Sequence, residues 1–332
     1  MIQHPGILAL LTTALLNSLM LVYASWHGIR ILRSWDLASG SELQMALERR
    51  TYLITTILGY ALFFQILSLF LFIYTADDLH TLFSGAMCAA GSLQVNRFGY
   101  PTLVLKTLNC LLAGIWLLIN HADNKGYDYP LIRPKYLMLS LLTLLILLES
   151  GLLISYVLQL KGDLITSCCG SLFSAEHPGI TGEIAGLPVR IMVPWFTISL
   201  IAAISSCCLF VLTGRGGYGV AITSGIFLVT ALAAIISFIS LYFYELPTHH
   251  CPFCILQKEY HGIGYPLYAA LLGSSITGIS VGFLMPARRI ASLAPVLTDL
   301  QRRLALISLV LLLAFSGIVG YRILTTSFRL IW

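Results

Sequence analysis

Apolar residues run through this chain in long blocks separated by short polar stretches. Eight blocks reach the roughly 20 residues a helix needs to cross a bilayer: about 6–27, 51–75, 101–120, 136–159, 191–213, 220–244, 263–284 and 304–324. The longest stretches between them, near 28–50, 76–100 and 160–190, are loop-sized. The pattern predicts an all-α fold, a polytopic transmembrane helical bundle of about eight helices forming a single integral membrane domain over 1–332. Glu42 to Arg50 reads as a surface helix, and Gly214-Arg215-Gly216-Gly217-Tyr218-Gly219 as a tight turn. Ser274, Gly278 and Gly282 share one helix face, a spacing that lets helices pack closely in lipid.

Composition agrees. The chain is 58% hydrophobic and 10% charged, with mean hydropathy +0.89, against about 25% charged residues in soluble domains. Its start, Met1-Ile2-Gln3-His4, carries no Lys or Arg, and no cleavage-site pattern is evident. A retained first helix is expected, with the N-terminus outside. Twelve of the nineteen Lys and Arg residues then fall on the inner side, as the positive-inside rule requires. The net charge of +5 reflects this anchoring and gives no reason to propose nucleic acid. We expect a bacterial inner membrane, with both termini and the cysteine-bearing loops on the outer side, where disulfides persist.

Three outer loops share a pattern of acid-Leu-x-Thr, cysteine and Gly-x-Pro. Asp78-Leu79-His80-Thr81 precedes Cys88 and Gly99-Tyr100-Pro101. Asp163-Leu164-Ile165-Thr166 precedes Cys168-Cys169 and Gly186-Leu187-Pro188. Glu245-Leu246-Pro247-Thr248 precedes Cys251-Pro252-Phe253-Cys254 and Gly264-Tyr265-Pro266. The recurrence, about every 80 to 85 residues, is longer than a solenoid repeat. It predicts a threefold helical-hairpin repeat over 51–120, 136–213 and 220–284, flanked by helices 6–27 and 304–324. Up to five thiols would then meet at one mouth.

The densest chemistry is His249-His250-Cys251-Pro252-Phe253-Cys254-Ile255-Leu256-Gln257-Lys258. Proline favours the first helical position, so Cys251 is expected at an N-cap and Cys254 one turn in. The N–H groups and dipole there stabilise a thiolate, which is the reactive species of a CxxC pair. His249 and His250 add proton-transfer capacity. Metal binding and a static structural bond are the competing readings, although so small a ring restricts the unfolded chain little.

Cys251 to Lys258 resembles the quinone-proximal segment of the disulfide-bond-formation protein B family (DsbB) and, more loosely, the vitamin K epoxide reductase family. The resemblance covers about ten residues and implies a CxxC at the outer start of a transmembrane helix, with Lys258 near a quinone. It also implies a second, loop-borne cysteine pair feeding electrons to the CxxC: Cys168-Cys169, or Cys88 with one of them. Those families have four or five helices and an Arg where this chain has Lys258.

The remaining polar groups leave alternatives open. Cys168 and Cys169 serve as a strained, easily reduced pair or as a bridge between loops. Cys88 follows Met87, a soft pair suited to Cu(I), and His80, His177 and His261 stand on or near the same loops. Glu149 interrupts an otherwise apolar span. Its burial costs a few kcal/mol, so it marks a proton or ion path, or is protonated and hydrogen-bonded to a residue such as Gln65. Cys110, Cys207 and Cys208 are read as packing residues.

Three functions are therefore expected in order. The first is a membrane thiol–disulfide oxidoreductase linking an outer thioredoxin-like partner to quinone through Cys251 and Cys254. The second is a membrane protein that binds or transports copper, zinc or mercury, using the thiols, the outer histidines and Glu149. The third is a non-catalytic subunit of a transport or electron-transfer complex, with structural disulfides.

Overall fold

A computed structural model of the protein describes residues 3–35, 41–126, 128–161, 166, 173 and 180–329, leaving aside the side chains at 43, 180 and 181. Cys168, Cys169 and His177 lie outside the described residues. Among those described, eight helices are long and apolar enough to cross a membrane, and no strand occurs. The chain is an integral membrane protein with an all-α polytopic fold.

The helices in chain order are α1 (Pro5–Ser34), α2 (Glu42–Asp78), α3 (Ala89–Gln94), α4 (Gly99–Asp123), α5 (Ile132–Leu158), α6 (Ile180–Ala185), α7 (Val189–Thr213), α8 (Gly217–Ala234), α9 (Ser240–Tyr244), α10 (Gly264–Phe283) and α11 (Ala294–Thr325). The helix expected over 42–50 forms, but as the first turns of α2 rather than as a separate surface element. No Gly or Pro occurs from Glu42 to Leu58, so nothing ends the helix before the span begins. Each Gly-x-Pro opens a span: Gly99 begins α4, Pro188 caps α7 and Gly264 begins α10. Proline is at home in a first turn, whose N–H groups have no helical partner.

The helices gather into two compact units. One comprises Met1–Ile73, Asn96–Leu160 and Leu284–Leu300; the other Tyr74–Val95, Lys161–Phe283 and Gln301–Trp332. Their boundaries cut through the candidate repeats 51–120 and 136–213.

In the first unit α1 and α4 both pack on α5, around Leu58, Leu62, Trp116, Tyr136, Leu139 and Leu142. Gly28 makes room for the Tyr136 ring: a Cβ at 28 would lie 2.6 Å from a ring carbon. At the α4–α5 turn, buried Asp123 accepts a hydrogen bond from the Leu131 amide at 2.8 Å and is ion-paired with Lys135.

In the second unit α8 packs against α7 and α10. The small face of α10 is what permits the approach, because a Cβ at Gly278 would meet the Ser224 side chain and one at Gly282 the Cβ of Ala221. Phe196, Phe227, Phe238 and Phe315 form a ring cluster on the same unit, with centroids 5.7–6.4 Å apart. Gly282→Leu is expected to destabilise the protein by about 1–3 kcal/mol through overpacking. Unfolding by SDS titration in detergent measures it, and an unchanged midpoint would mean that the two faces do not bear on each other.

Candidate functional site

Cys88 stands in extended conformation as the N-cap of α3, and its carbonyl accepts from Gly91 N at 3.0 Å. Asp77, at the end of α2, fixes this start: its Oδ1 accepts from Ala89 N at 3.1 Å. The same oxygen accepts from Gln257 Nε2 at 3.1 Å, and Gln257 Nε2 also donates to the Met87 carbonyl at 2.8 Å. One glutamine, three residues past the CPFC motif, thus clamps both sides of Cys88.

The CPFC motif does not start a transmembrane helix, contrary to the sequence expectation. Cys254 opens only a short 3-10 turn, Cys254–Leu256, and α10 begins ten residues later at Gly264. Gln257 turns extended (ψ 161), and His261 and Gly262 adopt left-handed conformations (φ 55 and 63). These breaks end the helix before it can propagate, so a long helix dipole is not what acts on the thiols. Gly264 is required for another reason: a Cβ there would lie 2.9 Å from the Ile255 carbonyl oxygen.

Tyrosines brace the loop instead. Tyr244 ends α9, and its buried hydroxyl donates to the Cys251 carbonyl at 2.5 Å while accepting from Ile255 N at 3.0 Å. Tyr268, on α10, donates to the Pro252 carbonyl at 2.7 Å. The ends and the middle of the motif are therefore held by hydroxyls from two different spans.

The outcome is a thiol cluster. Cys88 Sγ lies 3.5 Å from Cys251 Sγ although the residues are 163 apart in sequence, and the sulfurs of Cys88, Cys251 and Cys254 all fall within 4.8 Å of one another. A disulfide would need about 2.05 Å, so these sulfurs are in contact, not bonded. The residues Cys88, Cys251 and Cys254 are 0%, 1% and 5% exposed. Three sulfurs so placed could hold a metal ion.

His249 belongs to the cluster, with Nε2 3.3 Å from Cys254 Sγ and its ring edge-on to Tyr244. His250 faces elsewhere: its Nδ1 bonds the Ile236 carbonyl at 2.9 Å, inside a π-helical turn over Ile235–Ile239. Such turns disturb the normal helical ladder. Lys258 is exposed on the rim of a pocket of about 630 Å³ shared with Asp77, His80, Met87 and Gln257. A second pocket, of about 750 Å³, is lined by apolar Phe243, Ile263, Ala314 and Ile318 and by polar Glu259, Tyr260, His261 and Arg322. Burial, and then the nearby Cys254, raise the Tyr260 phenol above its usual pKa.

Glu149 sits in the other unit. Its carboxylate accepts from Gln65 Nε2 at 2.7 Å, the partner named in one sequence alternative, but it also accepts from Asn109 Nδ2 at 2.6 Å and Lys106 Nζ at 2.7 Å, an ion pair where that alternative has a protonated acid. Lys106 further donates to Ser68 Oγ at 3.1 Å. Sequence reasoning missed Lys106 as the counter-ion, along with Tyr244, Asp77 and Gln257. Lys106 carried a signal, being a cation within an apolar span. Cys207 lies 3.9 Å from Ser308 Oγ, in keeping with a packing role.

These features define an integral membrane protein with a buried thiol cluster braced by two tyrosines and a glutamine. No protein family, curated protein or solved structure matches the chain. The functional reading rests on the geometry of the site.

Proposed function

We propose that the protein is a membrane thiol–disulfide oxidoreductase. The observation that carries this reading is the contact between Cys88 Sγ and Cys251 Sγ, with Cys254 beside both. Thiol–disulfide exchange proceeds by attack of a thiolate on a disulfide sulfur, and here the attacking and attacked sulfurs already touch. With Cys251 and Cys254 joined, a thiolate at Cys88 forms a bond to Cys251 and releases the electron pair to Cys254.

Two electrons and two protons then pass between the cysteine pair and a membrane quinone, one dithiol and one quinone giving one disulfide and one quinol, or the reverse. The pocket lined by Phe243, Ile263, Ala314 and Ile318 together with polar Tyr260, His261 and Arg322 offers the mostly apolar, partly polar wall that suits a ring carrying an apolar tail. The thiol partner is a soluble thioredoxin-like protein on the outer face of a bacterial inner membrane, where the positive-inside bias places the cysteine-bearing loops. Cys168 and Cys169 are the pair proposed to meet it, because the other three sulfurs are buried.

Thiol trapping with a maleimide in intact membranes, read by mass spectrometry, tests this. Cys251 and Cys254 are expected to shift to the oxidised state when quinone is supplied and to the reduced state when it is withdrawn. Labelling that ignores quinone would remove the redox reading.

A further inference from the structure

We infer that Cys88, Cys251, Cys254 and His249 form a binding site for a divalent d10 ion, zinc being the natural occupant. A tetrahedral ion with metal–sulfur bonds of about 2.3 Å separates its sulfur ligands by about 3.8 Å, and separates sulfur from a ligating nitrogen by about 3.6 Å. The protein holds Cys88 and Cys251 sulfurs at 3.5 Å, the three sulfurs within 4.8 Å, and His249 Nε2 3.3 Å from Cys254 Sγ. Adjustments of about 1 Å or less bring the three sulfurs around a single centre, and His249, in contact with Cys254 Sγ but outside the 4.8 Å sphere of the three sulfurs, completes the set by a larger swing of its side chain.

Three features favour a metal over a chance meeting of thiols. The ligands come from two segments 163 residues apart, so local chain proximity does not explain their convergence. The backbone around them is fixed by partners that do not themselves ligate: Tyr244 on Cys251, Tyr268 on Pro252, and Gln257 with Asp77 on either side of Cys88. Outer-shell support of this kind orients ligands and raises affinity. Finally, the three side chains are enclosed together with none joined to another by a disulfide, and a thiol that meets a metal is deprotonated outright. Three thiolates and a neutral imidazole around a dication leave one net negative charge.

The site requires reduced thiols and does not depend on the redox proposal. The two use different oxidation states of the same sulfurs, since a disulfide offers no thiolate to a metal. An ion held here also keeps Cys251 and Cys254 from joining.

Cobalt(II) titration of the full chain, reduced and in detergent, tests the inference. One equivalent is expected to give a sulfur-to-cobalt charge-transfer band and the intense visible bands of tetrahedral cobalt, both removed by zinc. Cys88→Ser and Cys254→Ser are each expected to lower the charge-transfer intensity by about one third, one of three sulfur donors being gone. His249→Ala keeps that intensity and weakens binding about tenfold or more. Cys110→Ser, outside the cluster, leaves the spectrum unchanged and controls for folding. Weak octahedral bands, or a spectrum indifferent to Cys88→Ser and Cys254→Ser, would overturn the site. Quinone-dependent labelling of Cys251 and Cys254 would survive that outcome, so the two ideas fall separately.

Discussion

Lys106→Met is expected to destabilise the protein by about 3–5 kcal/mol, because it strands a carboxylate in a membrane-spanning region. Glu149 is 1% exposed and its oxygens accept from Lys106, Gln65 and Asn109. Without Lys106 two neutral amides remain and the charge loses its counter-ion. Glu149→Gln is expected to cost a similar amount, since Lys106 would lose its counter-charge and keep only neutral partners, Ser68 and the face of Phe72 (5.7 Å to the ring centroid) among them. The double variant buries no net charge and is expected to lose less than the two single losses added together. SDS-titration midpoints of the three variants decide the matter. A Lys106→Met change within about 0.5 kcal/mol of wild type, the range of a neutral surface substitution, would mean the pair is not what joins these helices. So fully engaged a carboxylate has little left with which to pass a proton.

The second large effect is expected from Tyr244→Phe. The ring stays and the hydroxyl goes, leaving the Cys251 carbonyl and the Ile255 amide without the partner each has now. Each buried unsatisfied group costs about 1–3 kcal/mol, which gives about 2–6 kcal/mol concentrated on the CPFC loop. At the low end, roughly 2 kcal/mol corresponds to about a thirtyfold rise in the open population. Hydrogen exchange at the Ile255 amide and the rate of Cys254 labelling should rise by that factor or more. Equal exchange in the two proteins would show that the hydroxyl does not hold the loop.

The spans were legible because the bilayer demands long apolar runs, and all eight appear close to where the pattern puts them. The helix starts after Gly-x-Pro were legible for a similar local reason. Failure came where the outcome depends on distant residues. Proline at 252 reads as a helix start, but the breaks at Gln257, His261 and Gly262 lie downstream and carry no strong local signal apart from the glycine. That Cys88 meets Cys251 follows from the packing of α3 and the Gln257 clamp, which no spacing encodes. The partners proposed from resemblance, Cys168 and Cys169, lie outside the described residues. Lys106 and Glu149 are 43 residues apart on adjacent helices, a pairing that an intramembrane charge calls for but does not locate.

The separation of Cys88 from Cys251 also has a bearing on synthesis. At about 5–20 residues per second, roughly 8–33 s pass between the translation of one and the other. For that interval the nascent protein carries the Cys88 thiol without either of its eventual neighbours. Any oxidant or thiol met during insertion competes for it first. The yield of correctly assembled protein should therefore depend on the redox conditions during translation far more than on those afterwards, once α3 and the tyrosine-braced loop have closed around the sulfur.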